Sequence, residues 1–221
     1  MTGRRAARRE ENRARILDAA LAAFAQNGFA ATRMEEIARA AGLTKPTLYQ
    51  YFDGKEALFT AMMQAPGEGM LAEIDLDSAE DPIAQLWAFA WRYAKTVMDP
   101  AYLSLARLVI GEAQRFPEIG RTYQAAGPDK VLAGLTDFMA RQAAAGTLLI
   151  DDPEMAAHDF WGLILSAPRN KALHRPDALP KRKEVTRYVQ NGMRVFLRAY
   201  SAHPETALRK LSRLKPPSSY R

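Results

Sequence analysis

The sequence predicts an all-α protein: an N-terminal three-helix unit built around a helix-turn-helix, followed by a helical bundle. Three observations carry that expectation. Apolar residues recur at the i, i+3, i+4, i+7 spacing of a helix face along most of the chain, and no strand-like alternation competes with it. Punctuation at Pro66-Gly67, Asp81-Pro82, Asp99-Pro100, Phe116-Pro117, Gly127-Pro128, Gly146, Asp152-Pro153, Ala167-Pro168, Arg175-Pro176 and His203-Pro204 divides the chain into helix-sized lengths. Ala41-Gly42-Leu43 stands between two short helical patterns, which is the composition of a tight turn joining two helices.

Taken in order, residues 1–10 read as a flexible basic arm and 12–27 as a first helix, with Ile16, Leu17, Ala20, Leu21 and Phe24 on one stripe and Asn27-Gly28 as its stop. Thr32 and Glu35 have the spacing of a capping box, so a second helix is expected from Arg33, its stripe being Met34, Ile37, Ala38 and Ala41. Gly42 ends it as a residue free to take positive φ. Thr44 is a good N-cap and Pro46 sits in the first turn, where a missing N–H costs little, so a third helix runs over Lys45–Tyr51 with Leu48 and Phe52 inward. Asp53 caps a fourth helix with Glu56 at its third position; it extends to about Leu71 as the linker, with Met62-Met63 and Pro66-Gly67 as a candidate interruption. Helices are then expected over 82–98, 101–115, 128–145, 153–166 and 184–201, and a disordered basic tail over 204–221. The domain boundaries that follow are 11–55 for the helix-turn-helix unit and 56–203 for a ligand-binding and dimerisation bundle.

Charge and composition narrow the chemistry. The formal net charge is +6 and the arginines crowd the start, at Arg4, Arg5, Arg8, Arg9, Arg13 and Arg15, which favours a polyanionic partner. The arm is expected either to contact the minor groove or the phosphates of a nucleic acid, or to be solvated and mobile, partly offset by Glu10 and Glu11. With no cysteine, and only three scattered histidines (His158, His174 and His203), no metal ligand set or cofactor is expected. Neither a secretory signal nor a run of eighteen apolar residues is present in the sequence, so a cytoplasmic protein without a membrane partner is expected.

Thr44, Lys45, Thr47, Tyr49 and Tyr51 face outward from the third helix, a set of hydroxyls, one cation and ring faces suited to phosphate oxygens and thymine methyls. The aromatics could instead be core, but Leu48 and Phe52 already fill the inward positions. Lys55 and the first N–H groups of the fourth helix form another candidate phosphate contact. The pattern from Arg15-Ile16-Leu17-Asp18-Ala19-Ala20 through Phe24-Ala25-Gln26-Asn27-Gly28-Phe29 to Lys55-Glu56-Ala57-Leu58 resembles the DNA-binding domain of the tetracycline-repressor (TetR) family. That resemblance implies double-stranded DNA contacts at Thr32, Arg33, Thr44, Lys45, Thr47, Tyr49, Tyr51 and Lys55, with Pro46 counted in the same DNA-binding set. It also marks two departures, Arg33 where relatives often carry Thr or Ser and Pro46 where they often carry Gly. The segments 112–120 and 146–157 are similar to an AcrR-like C-terminal subgroup.

Two regions of the bundle admit two readings each. Phe160, Leu163 and Ile164 on one helix, with Tyr188, Gly192, Val195, Phe196 and Ala199 on another, are either core or a dimer interface, and the family resemblance favours the interface. Trp87, Trp91, Leu105, Leu108, Phe138, Met139 and Trp161 are either core or the lining of a small-molecule site, which the resemblance implies. The function implied is a homodimeric, ligand-responsive regulator, most simply a repressor of a palindromic operator released by an apolar or amphipathic effector. The rivals are a helical small-molecule-binding protein and a nonspecific DNA binder. Catalysis has little basis, because Asp151-Asp152, His158-Asp159 and Glu112 with Arg115 have spacings that surface pairing and capping explain.

Overall fold

The computed structural model describes residues 2–72 and 81–217, with side chains over 5–64 and 81–217. Contacts divide the chain into two compact units, Met1–Pro66 with Ser104–Gly127, and Gly67–Leu103 with Pro128–Arg221. Every regular element among the described residues is a helix; one isolated antiparallel bridge joins Leu148 to Ser201. None of these helices is long and apolar enough to cross a membrane, and no group of three metal-ligating side chains occurs among the described residues.

The first unit begins with α1, Thr2–Ala31, broken at Gly28, where φ is 76°. Residues 2–10, expected as a flexible arm, therefore continue the helix: from Arg4 to Asn12 the chain is Arg, Ala, Glu and Asn, mostly strong helix formers, with no glycine or proline to stop it. α2 is Met34–Ala40 and α3 is Lys45–Tyr49. The junction is a Schellman motif, in which Leu43 N–H donates to Ala38 C=O at 2.9 Å and Gly42 N–H to Arg39 C=O at 3.0 Å; Gly42, at φ 65°, supplies the left-handed residue it requires. Ile16, Ala20, Phe24, Met34, Ile37, Leu48, Phe52, Leu58 and Phe59 pack into one core. Four rings, Phe24, Phe29, Phe59 and Phe116, meet there at centroid distances of 5.0 to 5.6 Å.

Phe116 precedes a helix the periodicity did not separate, α7 (Pro117–Ala126), which with the end of α6 (Pro100–Glu112) belongs to this unit. Leu105, Leu108, Val109, Ile119 and Ala126 share its core. The expected boundary at residue 55 thus gives way to an N-terminal unit completed by a distant segment. Its clearest tie is polar: Phe29 N–H, left without an intrahelical partner by the break at Gly28, donates to Glu112 Oε1 at 2.9 Å. α4, Lys55–Ala72, is continuous through Pro66-Gly67, and passes from the first unit to the second.

The second unit is formed by α5 (Pro82–Val97), α8 (Pro128–Ala144), α9 (Pro153–His174), α10 (Arg182–Tyr200) and α11 (Pro204–Arg213). α9 runs on past Pro168, where its expected counterpart stopped; the ring is buried, so packing offsets the hydrogen bond that Ile164 C=O loses. α9 and α10 lie close because Gly192 has no side chain: a Cβ there would sit 2.6 Å from Leu163 O. The tail expected to be disordered is instead ordered to residue 217, its last four residues lying outside the described ones. Ala207 and Leu211 of α11 are buried, Leu208 and Leu214 pack beside them, Lys210 pairs with Asp81, and Trp87 Nε1–H donates to Lys215 C=O at 3.2 Å. High charge density in 204–215 masked this apolar stripe in the sequence.

Both candidate sets in the bundle are divided by the structure. Phe160, Ile164, Gly192 and Phe196 point into their own chain's core, Leu163 is half-buried, and only Tyr188, Val195 and Ala199 are exposed. Of the candidate ligand residues, Trp87, Trp91, Phe138, Met139 and Trp161 share the second unit's core, whereas Leu105 and Leu108 belong to the first. The seven residues for which the family resemblance implied one small-molecule site therefore fall in two cores.

Candidate nucleic-acid interface

The exposed face of α3 is set by its cap. Thr44 Oγ1 accepts from Thr47 N–H at 3.3 Å, and the two hydroxyls are 2.8 Å apart. Pro46 in the first turn gives up no hydrogen bond, and Leu48 anchors the opposite face at 0% exposure. Thr44, Lys45, Pro46, Tyr49 and Gln50 are left exposed and Thr47 half-buried, with Tyr49 at 41% a large ring open to solvent. Gln50 was not singled out from the sequence; it continues the helix by one position and has the amide that pairs with adenine edges.

Lys45 is held where it stands. Its ammonium lies 2.5 Å from Glu35 Oε1 on α2 and 5.9 Å from the centre of the Tyr49 ring. The hydrogen bond between them pushes the Glu35 carboxyl below its usual range and raises Lys45 above its own, so both are fully charged at neutral pH. No local spacing signals this pair, since its members are ten residues apart on different helices.

Three sequence candidates have other tasks. Thr32 is 2% exposed, and its hydroxyl donates to Gly28 C=O at 2.8 Å, closing the last turn of α1; its side chain is withdrawn from solvent. The N-cap of α2 is accordingly Arg33, exposed, whose N–H donates to Glu36 Oε2 at 3.3 Å, one residue later than the expected pairing of Thr32 with Glu35. Lys55 donates to Phe29 C=O at 2.8 Å, Ala30 C=O at 3.0 Å and Thr32 C=O at 3.3 Å, and lies 4.7 Å from the Phe29 ring centre. With three donors on three carbonyls, it satisfies the end of α1 instead of facing a phosphate. Tyr51 is half-buried and its hydroxyl accepts from Asn12 Nδ2 at 3.2 Å.

That last contact opens onto a groove walled by arginines of the basic arm singled out in the sequence, here carried on a helix. Arg5, Ala6, Arg8, Arg9 and Asn12 of α1 face Gln50 and Tyr51 across an open groove of about 680 Å³, with the Arg9 guanidinium 6.0 Å from the Tyr51 ring centre. The signal was available, because 5, 8, 9 and 12 are spaced i, i+3, i+4, i+7, but it is legible only if the arm is taken as helical.

Comparison with known proteins identifies the family of both parts of the chain. Residues 16–62 match the family model of bacterial regulatory proteins of the tetR family, and residues 84–202, more than half of the chain, match that of the AefR-like transcriptional repressor C-terminal domain. The transcriptional regulator RutR of Escherichia coli (strain K12) is 44% identical over 63 residues, 28% of this chain and 30% of that protein. The chain thus spans about a third of the length of the curated relatives it matches. Solved structures match over more. A TetR-family transcriptional regulator from Mesorhizobium loti MAFF303099 superposes with a TM-score of 0.74 at 30% identity, covering 87% of this chain and 98% of that one. The flavonoid-responsive regulator FrrA gives 0.66 at 29% identity, over 87% and 98%. With a helix-turn-helix head, an all-helical second unit and both family models matched, the chain belongs to the TetR family of bacterial transcriptional regulators, which are not enzymes.

Proposed function

We propose that the protein is a homodimeric repressor that reads a palindromic operator through α3 and is released by a small apolar or amphipathic effector. The observation that carries the reading is the exposed face Thr44, Lys45, Pro46, Tyr49 and Gln50, set rigidly on a buried Leu48 and flanked by Arg33. Lys45 and Arg33 supply charge for the backbone, while Tyr49, Gln50 and the threonines supply apolar and hydrogen-bonding contacts for base edges. Half-site spacing follows from two such heads related by a two-fold axis, one per successive major groove. The exposed Tyr188, Val195 and Ala199 of α10 offer the surface for that axis.

The effector reading rests on the second unit's interior, where Trp87 and Trp91 meet at 5.6 Å, Tyr93 and Trp161 at 5.8 Å, and Phe138 with Met139 are fully buried. A ligand that binds one arrangement of the dimer better draws the population toward it, and such coupling is typically about 1–3 kcal/mol, or 5- to 150-fold in affinity. The flavonoid response named for FrrA puts flavonoids in the first set of effectors to test. Selection of duplexes from a random pool tests the DNA reading: a recovered palindrome supports it, and recovery of no preferred sequence at moderate salt overturns it. Titration of the selected complex with apolar and aromatic compounds tests release; a complex indifferent to a broad chemical panel removes the effector from the proposal.

A further inference from the structure

The geometry points to a second ligand site in the second unit: a small pocket at the start of α11, shaped and charged for the zwitterion of a small aliphatic α-amino acid. It does not depend on the operator reading, and it takes a different class of ligand from the effector proposed for the aromatic interior. The pocket is a cavity of about 150 Å³. At about 30 Å³ per water in the liquid it has room for about five waters, far below the roughly 300–1,000 Å³ of pockets for drug-sized ligands. A close-packed ligand of about five to eight non-hydrogen atoms fits it. Its inner wall is fixed by backbone. The Leu148–Ser201 bridge is flanked by Leu149 N–H donating to Tyr200 C=O at 2.7 Å and Ala202 N–H to Thr147 C=O at 3.2 Å, so the α8–α9 loop and the end of α10 hold each other.

Three features select the ligand. The first is a matched pair of charges: Asp81 and Lys210 stand together on the lining, with side chains 35% and 52% exposed, so a ligand reaches both. One carboxylate beside one ammonium gives the pair no net charge, which disfavours a simple anion or cation and suits a molecule carrying both. The ligand's ammonium takes Asp81 and its carboxylate takes Lys210, replacing one direct ion pair by two. The second feature is a set of unused donors. Ser201, 8% exposed, accepts from His203 N–H at 3.2 Å, and Thr206, one turn before Lys210 on α11, accepts from Arg209 at 3.2 Å. Neither hydroxyl proton has an acceptor among the described residues, and both side chains line the pocket, where they can donate to carboxylate oxygens. The third is an apolar wall of Ile83, Leu148 and Ala207, which covers an aliphatic side chain of valine's size.

The test is calorimetric titration of the full chain, without DNA, by three compounds: L-valine, 3-methylbutanoate, which lacks the ammonium, and isobutylamine, which lacks the carboxylate. Valine binds saturably with a Kd below about 1 mM, and each analogue binds at least about tenfold more weakly, the scale of a hydrogen bond to a charged group. Asp81→Asn then assigns the site. It keeps the N-cap of α5, because the amide oxygen still accepts from Ile83 N–H, and removes the charge. In that variant, with helicity checked by circular dichroism, valine affinity falls at least about tenfold while 3-methylbutanoate gains, since Lys210 has lost its competitor. A ligand lodged among the aromatic rings responds to neither change. Absence of saturable valine binding overturns the inference. Equal binding of valine and 3-methylbutanoate also overturns it, by making the pocket a plain anion site, as does valine binding that Asp81→Asn leaves unchanged. Should the variant lose α11, the analogue series on the unchanged protein still decides whether both charges of the ligand are read.

Discussion

At the scale of single residues, the interface is governed by which cations are already engaged. Lys45 is shared between Glu35 and any phosphate that approaches it, and because the pair's hydrogen bond lowers Glu35 and raises Lys45, the competition is complete at neutral pH. Glu35→Gln frees Lys45 and removes a like charge from the phosphates' path; duplex affinity at low salt rises about two- to five-fold, the scale of a surface ion pair. Affinity unchanged by this substitution, measured by fluorescence anisotropy, means that Lys45 does not touch DNA. The sign of the pH dependence follows from the lowered Glu35: the pair is intact above about pH 4.3, the ordinary glutamate value, and is lost as pH falls through the lowered one. Lys55 stands in the opposite position, with its donors spent on Phe29, Ala30 and Thr32 carbonyls. Lys55→Met costs stability, about 1–3 kcal/mol in urea unfolding, while the folded protein keeps its duplex affinity. A selective loss of DNA affinity with unchanged stability reverses that assignment.

Among the elements, α10 and α11 carry the strongest consequences. Gly192 is a contact within one chain, against the Leu163 carbonyl, so Gly192→Ala must push α9 and α10 apart; it destabilises by about 1–3 kcal/mol through overpacking against backbone. Equilibrium unfolding at several protein concentrations separates this from a dimer effect, because a purely interfacial Gly192 gives a loss that disappears on dilution to where both proteins are monomers, whereas a contact within one chain gives the same loss at every concentration. α11 is fastened by Leu211 and Ala207 in the core, by the Lys210–Asp81 pair, and by the Trp87 indole on Lys215 C=O. Burial raises Asp81, but hydrogen bonds from Lys210 and Ile83 N–H, with the Lys210 charge, outweigh it and leave its carboxyl lowered. A group lowered in the folded state stabilises above its unfolded value, about pH 3.9, and ceases to do so as pH falls through the folded one. Trp fluorescence from the α11 clasp therefore changes below about pH 4 at milder acidity in Lys210→Met than in the unchanged protein. Identical acid transitions for the two show that the pair does not hold the clasp.

For the whole molecule, the proposed two-fold assembly makes a prediction opposite in kind to the one for Gly192. Tyr188 and Val195 are 36% and 40% exposed on α10, while their inward neighbours Val189, Met193 and Phe196 are fully buried. Val195→Arg combined with Tyr188→Arg places charge on the outer face without opening the core. Sedimentation then gives a monomer with unchanged helicity, and affinity for a palindrome falls at least about a hundredfold, since two linked heads gain an effective concentration that one head lacks. A double variant that remains dimeric moves the interface elsewhere.

The first three helices and their turn were legible because the signals are local: a Thr N-cap with Pro in the first turn, a stripe of Met34, Ile37 and Ala38, and a glycine where a Schellman motif needs positive φ. Family membership was legible for the same reason, as a run of about fifty residues holds the pattern. What the tertiary structure decided concerns partners distant in sequence. Periodicity states which face of a helix is apolar, and not which surface covers it; so Gly192 and Phe196 turned out to meet α9 and the core of their own chain, and Leu105 and Leu108 to complete the DNA-reading unit. Side-chain type states what Thr32, Lys55 and Lys45 can bind, and only packing determined that the first two are spent on α1 carbonyls and the third is held by Glu35. Hydrogen bonds and burial act through space at a few ångströms, so a sequence specifies them wholly but displays them only where chain neighbours are also spatial neighbours.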